Sequence, residues 1–78
     1  MYYLYILRCR DETLYTGIAV NLARRVEEHN SSARGAKYTH GRRPVTLVYS
    51  RKFRNRSQAS QEEFRIKKLS RREKLMLL

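Results

Sequence analysis

Cysteine and proline each occur once in these 78 residues, glycine occurs three times, and tryptophan is missing. With Cys9 alone, no intrachain disulfide can form and no thiolate cluster can hold a metal. A buried strand thiol is the expected state of Cys9, because no neighbouring feature marks it for activation. A reducing compartment is expected. No apolar run approaches the roughly 20 residues of a membrane span, so no membrane partner is expected. Met1 leads directly into a strand-like run, without the basic start, apolar centre and cleavage site of a secretory signal. These readings predict a cytoplasmic protein.

Acidic residues are also scarce, and unevenly so. Eighteen Lys and Arg stand against seven Asp and Glu, a formal charge of +11, and no acid falls between His29 and Gln61. That stretch carries Arg34, Lys37, Arg42, Arg43, Arg51, Lys52, Arg54 and Arg56, the expected nucleic-acid-binding residues. A field of one sign attracts polyanions and speeds their association. For any one of these side chains, a solvated surface position is the plainer reading. A membrane-surface protein would favour a basic amphipathic helix, whereas Gly35, Gly41 and Pro44 interrupt this run. DNA is the expected partner, with RNA as the second choice. The sequence leaves the oligomeric state open.

The length predicts a single domain over residues 1–78, small enough to bury only about 60% of its unfolded surface. The expected core is Leu4, Ile6, Leu7, Leu14, Ile18, Leu22, Val26, Val45, Leu47, Val48, Ile66, Leu69 and the aromatics. Met1 to Cys9, rich in aromatic and apolar residues, reads as a strand. Arg10-Asp11-Glu12 makes a hairpin turn into a second short strand, which turns at Gly17. A helix follows, capped by Asn21, whose side-chain oxygen can accept from an unpaired first-turn amide. Asn30 to Pro44 reads as a long loop, and Pro44 to Ser50 as a third strand, with a basic connector over Arg51 to Arg56. A helix is expected from near Ser57, and Ser70-Arg71-Arg72-Glu73 has capping-box spacing for a last short helix. The predicted fold class is α+β, a three-stranded, antiparallel sheet flanked by helices.

On the first helix, Leu22, Ala23 and Val26 form the apolar stripe at about 100° per residue. Arg25 and His29, one turn apart, share a flank of it, while Arg24, Glu27 and Glu28 point away. A cation and an imidazole side by side, next to a tyrosine-bearing strand, suit the handling of a phosphate. Taken singly, Arg25 could be a surface arginine, and His29 could answer the helix dipole. Arg24 is expected to pair with Glu28.

Tyr3-Leu4-Tyr5 followed by Tyr15-Thr16-Gly17, with Arg25 and His29 behind, resembles the GIY-YIG nuclease family. The likeness is strongest to its small stand-alone bacterial members, which share a Tyr-Ile-Leu-Arg-Cys start and the Gly35-Ala36-Lys37 loop. It covers nearly the whole chain. Tyr3-Leu4 replaces the first Gly-Ile of the family name, and Thr16 stands where isoleucine is usual.

The resemblance implies a catalytic set of Tyr5, Tyr15, Arg25, His29 and Glu63. One tyrosine would activate water and the other position it, in an order the sequence leaves open. Their plainer role is packing over a strand, as expected for Tyr2, Tyr3 and Tyr49. A metal-bound water, Arg25 and the basic surroundings would each lower a tyrosine pKa from its usual ~10. Arg25 would clamp a phosphate through two of its oxygens. His29 would donate to a phosphate oxygen or assist proton transfer. Tyr38 is left open as a base-stacking residue.

Glu63 is the implied metal ligand, from the match of Glu63-Phe64-Arg65-Ile66-Lys67 to the family pattern. Helical periodicity alone favours Glu62, and Ser60-Gln61-Glu62-Glu63 could be a capping box instead. One carboxylate completed by water and substrate phosphate suits a single divalent ion, Mg²⁺ or Mn²⁺. The expected function is therefore metal-dependent endonuclease cleavage of DNA, structure-dependent or weakly sequence-specific. A basic binding module without cleavage is the alternative, and a small structural protein docking on an acidic partner or ribosomal RNA is a third.

Overall fold

A computed structural model describes residues 1–31 and 34–78. The elements in chain order are β1 (Tyr2–Arg8), β2 (Leu14–Ala19), α1 (Leu22–Ser31), α2 (Lys37–His40), β3 (Thr46–Phe53), α3 (Arg56–Lys67) and α4 (Arg71–Leu75). The three strands form one antiparallel sheet in the order β2-β1-β3. This is the expected α+β architecture.

β1 lies at the centre, and its side chains are covered on both faces. Leu4, Tyr5, Ile6 and Leu7 are all buried. Strand alternation sends Tyr5 and Leu7 to the side of Cys9, Ala19 and Val45, where Leu22 and Val26 of α1 pack. Leu4 and Ile6 face the other way, against Ile66 of α3, with Leu69 and Leu77 beside it. Full burial of one such aliphatic side chain contributes about 1.5–3 kcal/mol, so this continuous apolar strand is the main source of stability. Leu47, an expected core residue, is instead 38% exposed. A register irregularity where β3 passes Ile6 and Leu7 breaks the alternation at that point.

The helix ends follow their caps. Asn21 Oδ1 accepts from the Arg24 amide at 3.1 Å, as expected. The Ser70–Glu73 capping box is present in full. α3 begins one residue earlier than expected, because Asn55 accepts from the Gln58 amide at 2.8 Å. Ser60 therefore lies inside the helix and caps nothing. Three further boundaries are corrected. Gly17 is not a turn but a mid-strand residue paired with Tyr5. The basic segment from Arg51 is not a connector, since β3 runs to Phe53 and only two residues separate it from α3. The stretch expected as loop from Asn30 to Pro44 includes the end of α1 and all of α2.

Candidate active site

α1 and the α2 segment are fastened to the sheet by groups that carry no helical periodicity. Asn30 donates to the Val45 carbonyl at 3.0 Å and accepts from its amide at 2.6 Å. Arg43 Nε donates to the His29 carbonyl at 2.6 Å, satisfying one of the unpaired carbonyls at the end of α1. A Cβ at Gly35 would stand 2.7 Å from the Glu28 carbonyl and 2.8 Å from His29 Cα, so only glycine lets the chain lie this close to the helix. Tyr38 of α2 stacks on Tyr15 of β2 with ring centroids 5.8 Å apart, so α2 lies against that edge of the sheet.

Tyr5, Tyr15, Arg25 and His29 come together there. The Tyr5 hydroxyl lies 2.8 Å from His29 Nε2. The Tyr5 and Tyr15 ring centroids are 6.4 Å apart, and Tyr15 lies 5.1 Å from the His29 ring. The Arg25 guanidinium lies near enough to the Tyr5 hydroxyl to act on its ionisation. The side chain of Tyr5 reaches this position because its opposite residue is glycine: a Cβ at Gly17 would fall 2.5 Å from the Tyr5 oxygen.

Electrostatics make this a neutral pair beside a cation. Burial pushes the Tyr5 phenol up to about 12, and the nearby Arg25 guanidinium offsets that only in part. The expected lowering by basic surroundings is thus outweighed by desolvation. Burial likewise drives the His29 imidazole down to about 4, and the Arg25 charge adds to the effect. His29 is fully buried. Its Nε2 meets Tyr5, while Nδ1 lies 2.9 Å from the Thr39 hydroxyl. Thr39, also fully buried, carries no motif that would single it out in the sequence.

Arg25 is not presented to solvent alone. Its Nη1 donates to Glu28 at 3.0 Å and to the Arg34 carbonyl at 2.7 Å. Glu28, expected to point away, instead stands between Arg25 and Arg24, whose Nε lies 3.4 Å from its other oxygen. The Arg24–Glu28 pair was expected; the sharing with Arg25 was not, because an i,i+3 contact brings together residues placed on different faces. Burial opposes the Arg25 charge, yet the bond to Glu28 and the nearby Tyr5 oxygen hold its pKa above the ordinary value. The Arg25 hydrogen bond in turn lowers Glu28. Both arginines and Glu28 line a shallow depression with Ala19, Val20 and Asn21.

The two neighbouring glutamates of α3 part company. Glu62 is held by Arg65 at 2.7 Å and by Arg51 at 3.3 Å. Glu63 pairs with Lys67 at 3.1 Å, and its charge acts on Tyr5. Among the described residues, no three of His, Cys, Asp and Glu gather into a metal cluster.

The basic residues divide. Arg34, Lys37, Lys52, Arg54 and Arg56 are exposed. Arg51 is exposed as well but is committed to Glu62 and the Phe53 ring. Arg42 binds Asp11 at 3.0 Å and the Tyr38 carbonyl at 2.8 Å, and Arg43 ties down α1, so both have structural duties. Tyr38 stacks on Tyr15 at 5.8 Å and carries the Arg42 guanidinium 4.1 Å from its ring centre, which engages the ring that a base would need.

The family model described as the GIY-YIG catalytic domain matches residues 1–76. A UPF0213 protein of Desulfotalea psychrophila is 59% identical over 69 residues, covering 88% of this chain and 63% of that relative. One from Oceanobacillus iheyensis is 54% identical over 77 residues, 99% of this chain and 88% of that relative. The solution NMR structure of a UPF0213 protein from Bacillus halodurans superposes with a TM-score of 0.63 at 44% identity, covering 99% of this chain and 82% of that one. The chain belongs to the GIY-YIG catalytic domain family, a group of nuclease domains whose substrates are nucleic acids.

Proposed function

We propose that this domain is a divalent-metal-dependent endonuclease that hydrolyses phosphodiester bonds in DNA. The observation that carries the reading is the convergence of Arg25 and His29 on the Tyr5 oxygen, with the Glu63 charge felt at the same phenol. A binder needs the basic surface but has no use for a carboxylate at that point, which repels phosphate unless a cation stands between them.

Tyr5 is the residue assigned to the attacking water, because its oxygen lies against the His29 ring and the Arg25 charge offsets part of the cost of a phenolate. Tyr15, its ring against those of Tyr5 and His29, positions the same water. Arg25 pairs with the phosphate and neutralises charge developing on the phosphorane. His29, neutral and buried, holds the Tyr5 oxygen in place. Glu63, with water and substrate oxygens, suits a single Mg²⁺ or Mn²⁺, since Mg²⁺ keeps most of its water and accepts one or two carboxylates. Such an ion supplies stabilisation of the leaving oxygen. The exposed residues Arg34, Lys37, Lys52, Arg54 and Arg56 hold the backbone.

The engagement of Arg25 by Glu28 and the Arg34 carbonyl favours a second reading, a nucleic-acid binder with little cleavage. Labelled linear and branched DNA, with RNA of matching sequence, incubated with Mg²⁺, Mn²⁺ or chelator separates the two. The proposed reading expects metal-dependent cuts in DNA that chelator abolishes. Salt-dependent binding with intact DNA under every condition would leave the binder in front.

A further inference from the structure

Both oxygens of the Glu28 carboxylate are taken by guanidinium groups. Oε1 accepts from Arg25 Nη1 at 3.0 Å, and Oε2 lies 3.4 Å from Arg24 Nε. A phosphate can occupy the same arrangement, since both anions offer a pair of oxygens to guanidinium donors. The three side chains border an open depression of about 350 Å³, lined also by Ala19, Val20 and Asn21. That volume lies at the lower end of the range for small-ligand sites, about 300–1,000 Å³. Among the described residues that line it, Glu28 is the only acid.

The two arginines work against the helix that carries them. They stand in the first turn of α1, which holds no acid. The helix dipole already places positive charge at that end, so cations there cost stability. In the Arg24–Glu28 pair the cation precedes the anion, the weaker of the two orders at i,i+4. Arg24 is its open side, at 64% side-chain exposure against 19% for Glu28. An ion pair exposed in this way is weak, and giving it up costs less than about tenfold in affinity. Arg25 Nη1 donates at once to Glu28 and to the Arg34 carbonyl, which uses both of its protons. Departure of Glu28 returns one of them to the depression.

We propose that Arg24 is a second phosphate-binding residue and that Glu28 is a placeholder. The carboxylate that joins Arg24 to Arg25 in the free protein gives way to a phosphodiester of the nucleic-acid strand, which then lies between the two guanidiniums. This rests on the proposed reading of Arg25 and adds the group that shares its phosphate. Glu28 turns toward solvent in the exchange, because two anions left side by side repel. Both guanidiniums keep an anion in either state, so their side chains are held near the bound arrangement before the strand arrives.

The test is binding of a labelled DNA duplex by the full chain in chelator, read by fluorescence anisotropy, with variants built on Glu28→Gln. That background removes the competing carboxylate and with it the ion-pair role of Arg24. Arg24→Gln added to it should weaken binding by roughly tenfold, the scale of one charged hydrogen bond. Arg8→Gln in the same background is the control, since Arg8 carries an equal charge in an exposed pair with Glu12 at 3.9 Å; its effect should be much smaller. A loss for Arg24→Gln no larger than for Arg8→Gln would overturn the proposal. Nitrogen-15 NMR of the arginine Nε–H groups gives a second reading on the unaltered protein. The same duplex should shift the Arg24 signal and leave that of Arg8 in place, and an unmoved Arg24 signal would overturn the proposal even if the variants failed to fold. Arg24-dependent binding by a protein that never cuts DNA would keep this inference and remove the nuclease reading. Metal-dependent cleavage with Arg24-independent binding would do the reverse, and failure to bind DNA at all would remove both.

Discussion

Gly17 lies directly beneath the phenol of Tyr5, and a Cβ at that position would approach the Tyr5 oxygen to 2.5 Å and Cζ to 2.7 Å. The two residues face each other across the β1–β2 ladder. In a strand, exchange of glycine for alanine ordinarily gains about 0.5–1 kcal/mol. Here the sign reverses, because the methyl group displaces a buried ring that is bonded at its far end to His29. Gly17→Ala should lower stability by about 1–3 kcal/mol, the usual cost of overpacking. Chemical denaturation checks this, and a variant more stable than wild type would mean that Tyr5 does not lie across Gly17.

Glu28 occupies part of Arg25, and this relationship makes a second pair of predictions. Glu28→Gln removes a negative charge 3.0 Å from Arg25 Nη1. DNA should bind several-fold more tightly, with stability changed by less than about 1 kcal/mol, as for other partly exposed ion pairs. Weaker binding would show that Glu28 aims Arg25 at phosphate. Arg25→Ala, by contrast, should reduce cleavage by about 10²–10³-fold, the usual effect of removing one charge-stabilising donor.

The flank shared by Arg25 and His29, the Asn21 cap and the Ser70–Glu73 box were all legible in the sequence, because each is a local pattern with a fixed period or offset. What escaped depends on contacts between distant segments. α2 is four residues long, too short to show a helical repeat. The reason for Gly17 lies on a neighbouring strand, and the duties of Arg42 and Arg43 lie on the hairpin and on α1. Thr39 gives no signal until its position against His29 is known. For Glu62 and Glu63, helical angle placed Glu62 nearer the sheet, as found, but could not show that Arg51 and Arg65 take up its charge while Glu63 pairs with Lys67.

Acid should weaken the fold through His29 before it does so through the carboxylates. The imidazole is held down at about 4 against an ordinary 6.5, so the unfolded chain takes up the proton first as pH falls. The contribution is complete above about 6.5 and is lost as pH drops toward about 4, with a slope of at most about 1.4 kcal/mol per pH unit. Asp11, Glu28, Glu62 and Glu73 are lowered too, but they release their contributions only at and below the ordinary carboxylate range. Denaturant melts at intervals from pH 7 to pH 4.5 should show the fall, and His29→Gln should flatten it. A wild-type profile level over that interval would contradict the buried, neutral histidine.

Thr16 stands at 3% exposure with its hydroxyl unpartnered among the described residues. A buried hydroxyl without a partner forfeits about 1–3 kcal/mol of solvation. Thr16→Val keeps the branched shape and removes the polar atom, so stability should rise by about 1 kcal/mol. A thermal melt reads this directly, and a lowered midpoint would mean that the hydroxyl has a partner such as a trapped water.

The central claim rests on Glu63, and metal-dependent cleavage of labelled DNA by Glu63→Gln, measured beside Glu62→Gln and wild type, tests it most directly. Glutamine keeps the size and most of the helix preference of glutamate while removing the charge that would hold a divalent cation. Loss of cleavage in Glu63→Gln is expected, with DNA binding kept or tightened and the thermal midpoint close to wild type. Glu62→Gln should still cut, while losing stability through the Arg51 and Arg65 contacts. Full metal-dependent activity in Glu63→Gln would contradict the site described here.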